Sequence, residues 1–271
     1  MKDFSIFKIF LIFIIYSFIG WMCEVMYCSI SQRKFINRGF LYGPICPIYG
    51  CGALVVFSFL MPLENRPILL FFASMILTTI LEYITSWVME KLFATKWWDY
   101  SNYRFNINGR VCLLNSFLFG IMGVVAVKYV NPVIMGFVNI FNDFWIKVIG
   151  ITLMVIFIVD LFFTVKSLIN FKLYLKRFEE FIQALIKKVE QEKWVIDFHE
   201  NVEDFVKKIR EKLLTHTHHS QHEKINSELD KHLYKYLEKR DSYKRFMIKF
   251  PDSKSKKFSK PLEEIKSLLK K

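Results

Sequence analysis

The sequence predicts an all-α membrane protein, with a polytopic bundle of about five transmembrane helices followed by a helical tail. The composition is 53% hydrophobic, yet the formal net charge is +13. The two properties are separated along the chain, because residues 1–170 hold 13 Lys or Arg and 8 Asp or Glu, whereas residues 171–271 hold 25 and 17. We therefore expect a transmembrane bundle at 1–170, a basic amphipathic helical tail at 171–250 and a poorly ordered segment at 251–271.

Four apolar stretches, at residues 4–29, 68–90, 111–130 and 144–169, are long enough to cross a hydrocarbon core of about 30 Å as helices. A fifth stretch, residues 44–61, is shorter and begins with two prolines, Pro44 and Pro47. We expect it to span the membrane, with a re-entrant segment as the alternative. The first stretch has no small-x-small cleavage site, so we expect it to remain in the mature protein.

The short loops predict the orientation of these spans. Residues 31–42 and 91–110 carry three and four Lys or Arg, whereas residues 131–143 carry none and residues 62–67 carry one beside a glutamate. Positive loops stay on the cytoplasmic side. We therefore expect a multi-pass protein of the bacterial plasma membrane, with its N-terminus outside and its C-terminus in the cytoplasm.

Carboxylates inside predicted spans are costly, at about 2.5–3.5 kcal/mol each at a helix centre, and they commonly have a function. The sequence has four: Glu24, Glu82, Glu90 and Asp160. Glu24 belongs to a polar or small-residue stripe with Ser17, Gly20 and Cys28, and Glu82 and Glu90 share another with Thr78 and Ser86. We expect both stripes to face the bundle interior. They form a polar path or a proton or cation site, or else structural pairs in which Arg38, Arg110 or hydroxyl partners neutralise Glu24 or Glu82.

Three groups of motifs resemble a known family. The first is YSFIGW at 16–21 through Glu24, with RGFLYGPICPIYG at 38–50; the second is LEY at 81–83 with EKLF at 90–93; the third is WWDYS at 97–101 with FNINGRVCL at 105–113. In this order they resemble the bacterial family described as putative ABC-transporter type IV, or CmpB-like, over roughly the first 160 residues. The resemblance implies a permease-like subunit of a transporter. The sequence has no G-x-x-x-x-G-K-[ST] phosphate loop, so a separate ATPase subunit is an expected partner beside the lipid bilayer.

The loop before the third long span supplies further candidates. Its aromatic residues, from Trp97 to Phe105, are expected to form a belt at the membrane interface. The alternative is that Asp99, Asn106, Asn108 and Arg110 form a polar lid over the bundle near Glu24 and Glu82. The candidates of the inner-face loops are Arg38, Trp98, Asp99, Asn106, Asn108 and Arg110.

The tail has apolar residues at helical spacing, such as Phe178, Ile182 and Leu185, which predict helices over about 171–214 and 223–249. These helices could form a hairpin, pair as a coiled coil in a homo-oligomer, or lie on anionic lipid. Between them lie four histidines that are weak metal candidates: His216, His218, His219 and His222. A polar linker is the favoured interpretation, with a pH response as a further alternative, and no metal or cofactor is expected.

Several functions are disfavoured by the sequence. It has neither G-x-S-x-G nor H-E-x-x-H, and no histidine precedes His199, so we do not expect an enzyme. Nucleic acid is not an expected partner, because the basic residues follow membrane topology or are mixed with acids in the tail. The alternative to a permease-like subunit is a noncatalytic scaffold or regulatory protein that recruits partners through its tail.

Overall fold

The fold is mostly helical in the part of the chain that the computed structural model describes: residues 5–33, 36–191, 246, 248–259, 262–263 and 266. The elements, in order, are α1 (Ile6–Gln32), α2 (Pro47–Leu60), a 3-10 turn (Met61–Leu63), α3 (Pro67–Phe93), β1 (Asn106–Ile107), β2 (Val111–Cys112), α4 (Leu113–Val125), a π-helical turn (Ala126–Val130), α5 (Asn131–Val138) and α6 (Asp143–Gln191). The all-α prediction is confirmed. The chain divides into two compact units, Met1–Leu168 and Ile169–Lys271.

Among the described residues, four stretches of helix are long and apolar enough to cross a membrane: Ile6–Ile30, Pro67–Phe93, Leu113–Val138 and Asp143–Glu180. They correspond to the four long stretches of the sequence. The fifth predicted span is the shorter helix α2, of 14 residues. Apolar side chains on the outer faces of the long helices are exposed, as expected for surfaces that meet lipid; they include Ile76, Ile80, Ile84, Val155, Val159 and Phe162.

The sequence predicts a loop at 131–143. This prediction is wrong for most of the segment, because α5 continues the helix to Val138. Pro132 lacks a backbone N–H and would clash with the carbonyl four residues earlier in a regular helix. Here it lies in the first turn of α5, directly after the π-helical turn, whose wider winding accommodates it. The connection to α6 is consequently only a few residues long, and the Asn142 side chain accepts a hydrogen bond from the Trp145 backbone at 3.0 Å.

Small residues bring the helices of the first unit close together. A Cβ added to Gly50 of α2 would lie 2.2 Å from the Ser17 Oγ and 2.5 Å from the Phe13 carbonyl of α1. A Cβ added to Gly123 of α4 would lie 2.4 Å from the side chain of Ser74 on α3. Glycine and serine at these crossings allow the backbone contact by which helices associate in membranes.

The segment from residue 36 to residue 46, which leads into α2, has no regular secondary structure. Asp160 of α6 accepts hydrogen bonds from the backbone N–H groups of Tyr42 at 2.9 Å and Gly43 at 2.7 Å, and from the Thr164 hydroxyl at 3.1 Å. The carboxylate thus satisfies donors that this irregular backbone would otherwise leave unpaired. This contact gives Asp160 a structural role.

The second unit contains the end of α6 and the described residues near the C-terminus. Phe171, Leu175 and Phe178 are buried, and the rings of Phe171 and Phe246 lie 5.6 Å apart. Residues 192–245 of the predicted tail helices lie outside the described residues. This segment includes the four candidate histidines His216, His218, His219 and His222.

Candidate intramembrane carboxylate site

Glu24 lies on the interior stripe of α1, where three neighbours surround its carboxylate. The Tyr49 hydroxyl of α2 donates a hydrogen bond to Oε1 at 2.7 Å. The Arg38 Nε lies 3.9 Å from Oε2, and the Cys28 thiol, one helical turn away, lies 4.0 Å from the same oxygen. Tyr49 is held here because its ring packs directly on Gly20, where any Cβ would lie 2.2 Å from the ring.

Arg38 connects the irregular segment to α1. Its guanidinium donates to the Cys28 sulfur at 2.7 Å, and its carbonyl accepts from the Cys46 thiol at 3.8 Å. The ion pair with Glu24 is the longer contact, at 3.9 Å. The sequence-derived alternative in which Arg38 neutralises Glu24 therefore has a geometric basis, although Arg38 is shared between the carboxylate and a thiol.

Glu82 lies on α3 with only 5% of its surface exposed. Its Oε2 has no hydrogen-bond partner among the described residues, and no ion pair involving Glu82 occurs there either. The Tyr100 hydroxyl and the Glu24 carboxylate both lie near enough to Glu82 to interact with it electrostatically. The structure therefore brings the two predicted interior carboxylates, Glu24 and Glu82, into one site.

Tyr100 reaches this site from the loop between α3 and β1. Burial raises the pKa of its hydroxyl well above the ordinary value of 10, and the negative charges of Glu82 and Glu24 raise it further. The hydroxyl therefore stays protonated at physiological pH. It thus adds no negative charge to the site.

Glu90, two turns further along α3, has a different environment. Its Oε2 lies 2.6 Å from the Arg110 Nη2, and Arg110 also lies 3.5 Å from the Ser86 hydroxyl and 5.6 Å above the Tyr83 ring. Charge-assisted contacts of this length fix both side chains. Glu90 is therefore the partner of Arg110, whereas the structural-pair alternative derived from the sequence had assigned Arg110 to Glu24 or Glu82.

The loop that carries Tyr100 is held by a small hairpin. Asn108 and Gly109 both have positive φ, at 52° and 62°, as a type I′ turn requires. Lys96 lies 3.0 Å from Asp99 and donates to the Asn108 carbonyl at 2.8 Å. Any Cβ on Gly109 would lie 2.4 Å from the Asp99 carboxylate, so this turn requires glycine on two counts.

The remaining loop candidates support the hairpin. The Asn106 side chain donates to the Tyr103 carbonyl at 2.8 Å, the Asn108 side chain donates to the Tyr83 hydroxyl at 2.9 Å, and the Trp98 indole donates to the Arg110 carbonyl at 3.0 Å. Asn106, Asn108 and Trp98 therefore stabilise the loop and its hairpin. The side chain that reaches Glu82 is that of Tyr100.

The belt interpretation of the aromatics is wrong for two of them. Trp97 is 2% exposed, and Tyr100 turns inward to Glu82, whereas Phe105, at 78% exposed, has the outward position that a belt requires. Tyr49 and Tyr100 were not among the candidate site residues predicted from the sequence. Both stand in motifs that carried the family resemblance, and a hydroxyl beside buried carboxylates was the signal available.

Among the described residues, no group of three or more His, Cys, Asp or Glu side chains is arranged to hold a metal ion. Three buried cysteines, Cys28, Cys46 and Cys112, form no disulfide. The chemistry of the site is thus that of two carboxylates, two phenolic hydroxyls and one guanidinium.

Comparison with known proteins gives one finding. The family model described as Putative ABC-transporter type IV matches residues 11–165. The match covers all of the residues described above around Glu24, Glu82 and Glu90. No curated protein and no solved structure matches the chain.

Proposed function

Because the chain belongs to the Putative ABC-transporter type IV family and is a transport-related membrane protein, we propose that it is a permease-like subunit whose polar centre is the Glu24–Glu82 site. The sequence contains no phosphate loop, so the proposal assigns ATP hydrolysis to a separate chain. The subunit itself is not an enzyme in this proposal. Its task is to provide the membrane path.

The observation that carries the proposal is the buried Glu82 carboxylate. A carboxylate that served only to hold helices together would have its oxygens paired, as Glu90 has with Arg110 at 2.6 Å. Glu82 Oε2 is instead unpaired and turned inward, and the neighbouring Tyr100 and Glu24 are polar. Ionisable groups inside membrane bundles commonly lie on ion or substrate pathways.

The proposal is tested with carboxamide variants in the native host. We expect Glu82→Gln and Glu24→Gln to abolish the transport phenotype of the complemented deletion strain, while the protein inserts at normal abundance. Glu64→Gln, in the turn between α2 and α3, is the matched control and should retain function. Loss of insertion in both interior variants, or full transport by both, would contradict the proposal.

The proposed partner is tested separately. We expect the full chain, solubilised from its host in mild detergent, to copurify with a protein that carries a phosphate loop. A deletion of that ATPase should reproduce the phenotype of deleting this chain. Purification without any nucleotide-binding partner, together with unchanged function in the ATPase deletion, would overturn the two-chain arrangement.

The orientation is part of the proposal, with the N-terminus outside and the C-terminus in the cytoplasm of the bacterial plasma membrane. The positive loops support it. In a chain without its native cysteines, Glu64→Cys should react with an impermeant maleimide added outside intact cells, and Ser101→Cys should react only after permeabilisation. The reverse pattern would invert the topology.

The second candidate function is a noncatalytic scaffold or regulator that works through its tail. One observation favours it. Helix α6 continues to Gln191, 11 residues beyond Glu180, where its membrane-length apolar stretch ends. Near that end it carries an exposed ion pair, Lys176–Glu180, at 3.6 Å. Deletion of residues 171–271 distinguishes the two functions. A scaffold loses its phenotype with the tail, whereas a permease-like subunit that keeps its activity without the tail would exclude the scaffold.

A further inference from the structure

The charged groups of the carboxylate site do not balance. The titratable groups that interact with Glu82 are Glu24 and Tyr100. Those that interact in turn with Glu24, Tyr100 or their neighbours are Tyr49, Arg38, Cys28, Cys46 and Cys112. The formal charges among them and Glu82 are two carboxylates and one guanidinium. With both carboxylates ionised, the site carries a net charge of −1.

A net charge at this position is unfavourable, because Glu82 is 5% exposed within a helix of a membrane bundle. Arg38 does not remove it. Its Nε lies 3.9 Å from Glu24, its Nη1 is directed to the Cys28 sulfur at 2.7 Å, and no ion pair joins it to Glu82 among the described residues. The missing positive charge therefore belongs beside Glu82.

The geometry leaves an oxygen free to receive that charge. Glu82 Oε2 has no hydrogen-bond partner in the described part of the chain, and it is buried rather than turned to the surface. Tyr100 and Tyr49 bring phenolic oxygens to the Glu82 and Glu24 carboxylates. Oxygen atoms from carboxylates and hydroxyls suit hard cations and protons, and repulsion between the two carboxylates is relieved by a positive charge between them.

We propose that the Glu24–Glu82 site binds one exchangeable monovalent positive charge, either a proton or an alkali cation, with Glu82 Oε2 as its principal ligand. This inference rests on the proposed function and deepens it, because it names the class of ion that occupies the polar centre. One unit of charge matches the imbalance, so a divalent cation would overcompensate it. The occupied site is neutral and the empty site is negative.

The test measures binding by the full chain, purified in nanodiscs of a neutral phosphatidylcholine. Equilibrium binding of radioactive sodium, with potassium and lithium as competitors, reports the alkali cation. Infrared spectroscopy reports the proton, through the carbonyl band that only a protonated carboxyl group shows. We expect wild-type protein to give one of the two signals, and Glu82→Gln to lose it by at least about tenfold.

Glu90→Gln is the matched control, since Glu90 lies on the same helix stripe but is paired with Arg110. It should keep the signal. Glu82→Asp keeps the charge at shorter reach and should retain weakened binding, and circular dichroism of each variant establishes that the helices have formed. Saturable sodium binding identifies the alkali cation, and the carboxyl band without sodium binding identifies the proton.

Neither signal in the wild-type protein, or a signal that survives in Glu82→Gln, would overturn the inference. This outcome is distinguishable from failure of the proposed function, because the measurement uses neither transport nor the ATPase partner. A chain that copurifies with its ATPase but binds no monovalent cation would remain a permease-like subunit with a different path.

Discussion

Glu82 and Glu90 lie two turns apart on the same stripe of α3, roughly 12 Å along the helix axis, yet they have opposite surroundings. Glu90 is partly exposed and has an arginine at 2.6 Å. Glu82 is buried, has no ion-pair partner among the described residues, and faces a second carboxylate. The contrast shows that helical spacing identifies which residues share a face, whereas the partners that reach that face from other segments decide what each residue does.

The largest expected effect comes from removing the partner of Glu90. Arg110→Met should lower the free energy of unfolding by on the order of 3 kcal/mol, because it leaves a partly buried carboxylate unpaired. Glu82→Gln should change it by less than about 1 kcal/mol, since it removes a charge that has no paired cation. Unfolding in mixed detergent micelles, followed by circular dichroism, measures both.

A double variant sharpens this comparison. Arg110→Met combined with Glu90→Gln should recover part of the loss, because both charges are then gone. Equal destabilisation by Arg110→Met and Glu82→Gln would show that the two carboxylates have the same structural role, and the distinction between them would fail.

A smaller effect is expected from the glycine that positions Tyr49. Gly20→Ala places a methyl group where the Tyr49 ring lies, 2.2 Å from the nearest ring atom, and should cost about 1–3 kcal/mol of stability through overpacking. The ring must move, so the Tyr49–Glu24 hydrogen bond should weaken while the Glu90–Arg110 pair is unaffected. The thermal unfolding midpoint checks the cost.

Gly136→Ala is the control for this substitution, since nothing lies within 4 Å of a Cβ built there. In the helix α5 it should be neutral or slightly stabilising. If both alanine variants were neutral, the close approach of α1 and α2 at Gly20 would be refuted.

The smallest effect is expected at alkaline pH. The pKa of Tyr100 is raised by burial, so the folded state holds its proton more tightly than the unfolded state does. The stabilisation is complete below the unfolded value of about 10 and is lost as the pH rises above it. Stability of the wild-type protein should therefore fall more steeply between pH 10 and 11 than that of Tyr100→Phe. Parallel curves for the two proteins would place Tyr100 outside the buried site.

Much of this architecture could be predicted from the sequence, because apolar length and polar stripes are local properties. The spacing of Ser17, Gly20 and Glu24 predicted an interior face, and Ser17 is indeed fully buried. The extension of the third long helix through Pro132 could not be predicted by a rule that ends helices at prolines. A wider turn before the proline decided the outcome.

The partners in the site could be predicted less well. Arg110 was an expected partner for a buried carboxylate. Which carboxylate it reaches depends on how the hairpin at 106–112 folds back over α3. The turn at Asn108 and Gly109 directs Arg110 to Glu90 and leaves Glu82 to Tyr100. The pairing of these side chains depends on the path of the loop in space. The spacing of residues along a single helix gives no information about that path.

The short helix α2 has a consequence for the surrounding lipid. Its 14 residues rise roughly 21 Å, whereas α1 and α3, with 27 residues each, rise roughly 40 Å. A helix that crosses a hydrocarbon core of about 30 Å needs about 20 residues, so a spanning α2 requires a thinner bilayer beside it, whereas a re-entrant α2 does not. Lipids with shorter acyl chains should therefore stabilise the protein if residues 44–61 span the membrane, and should leave its stability unchanged if they re-enter.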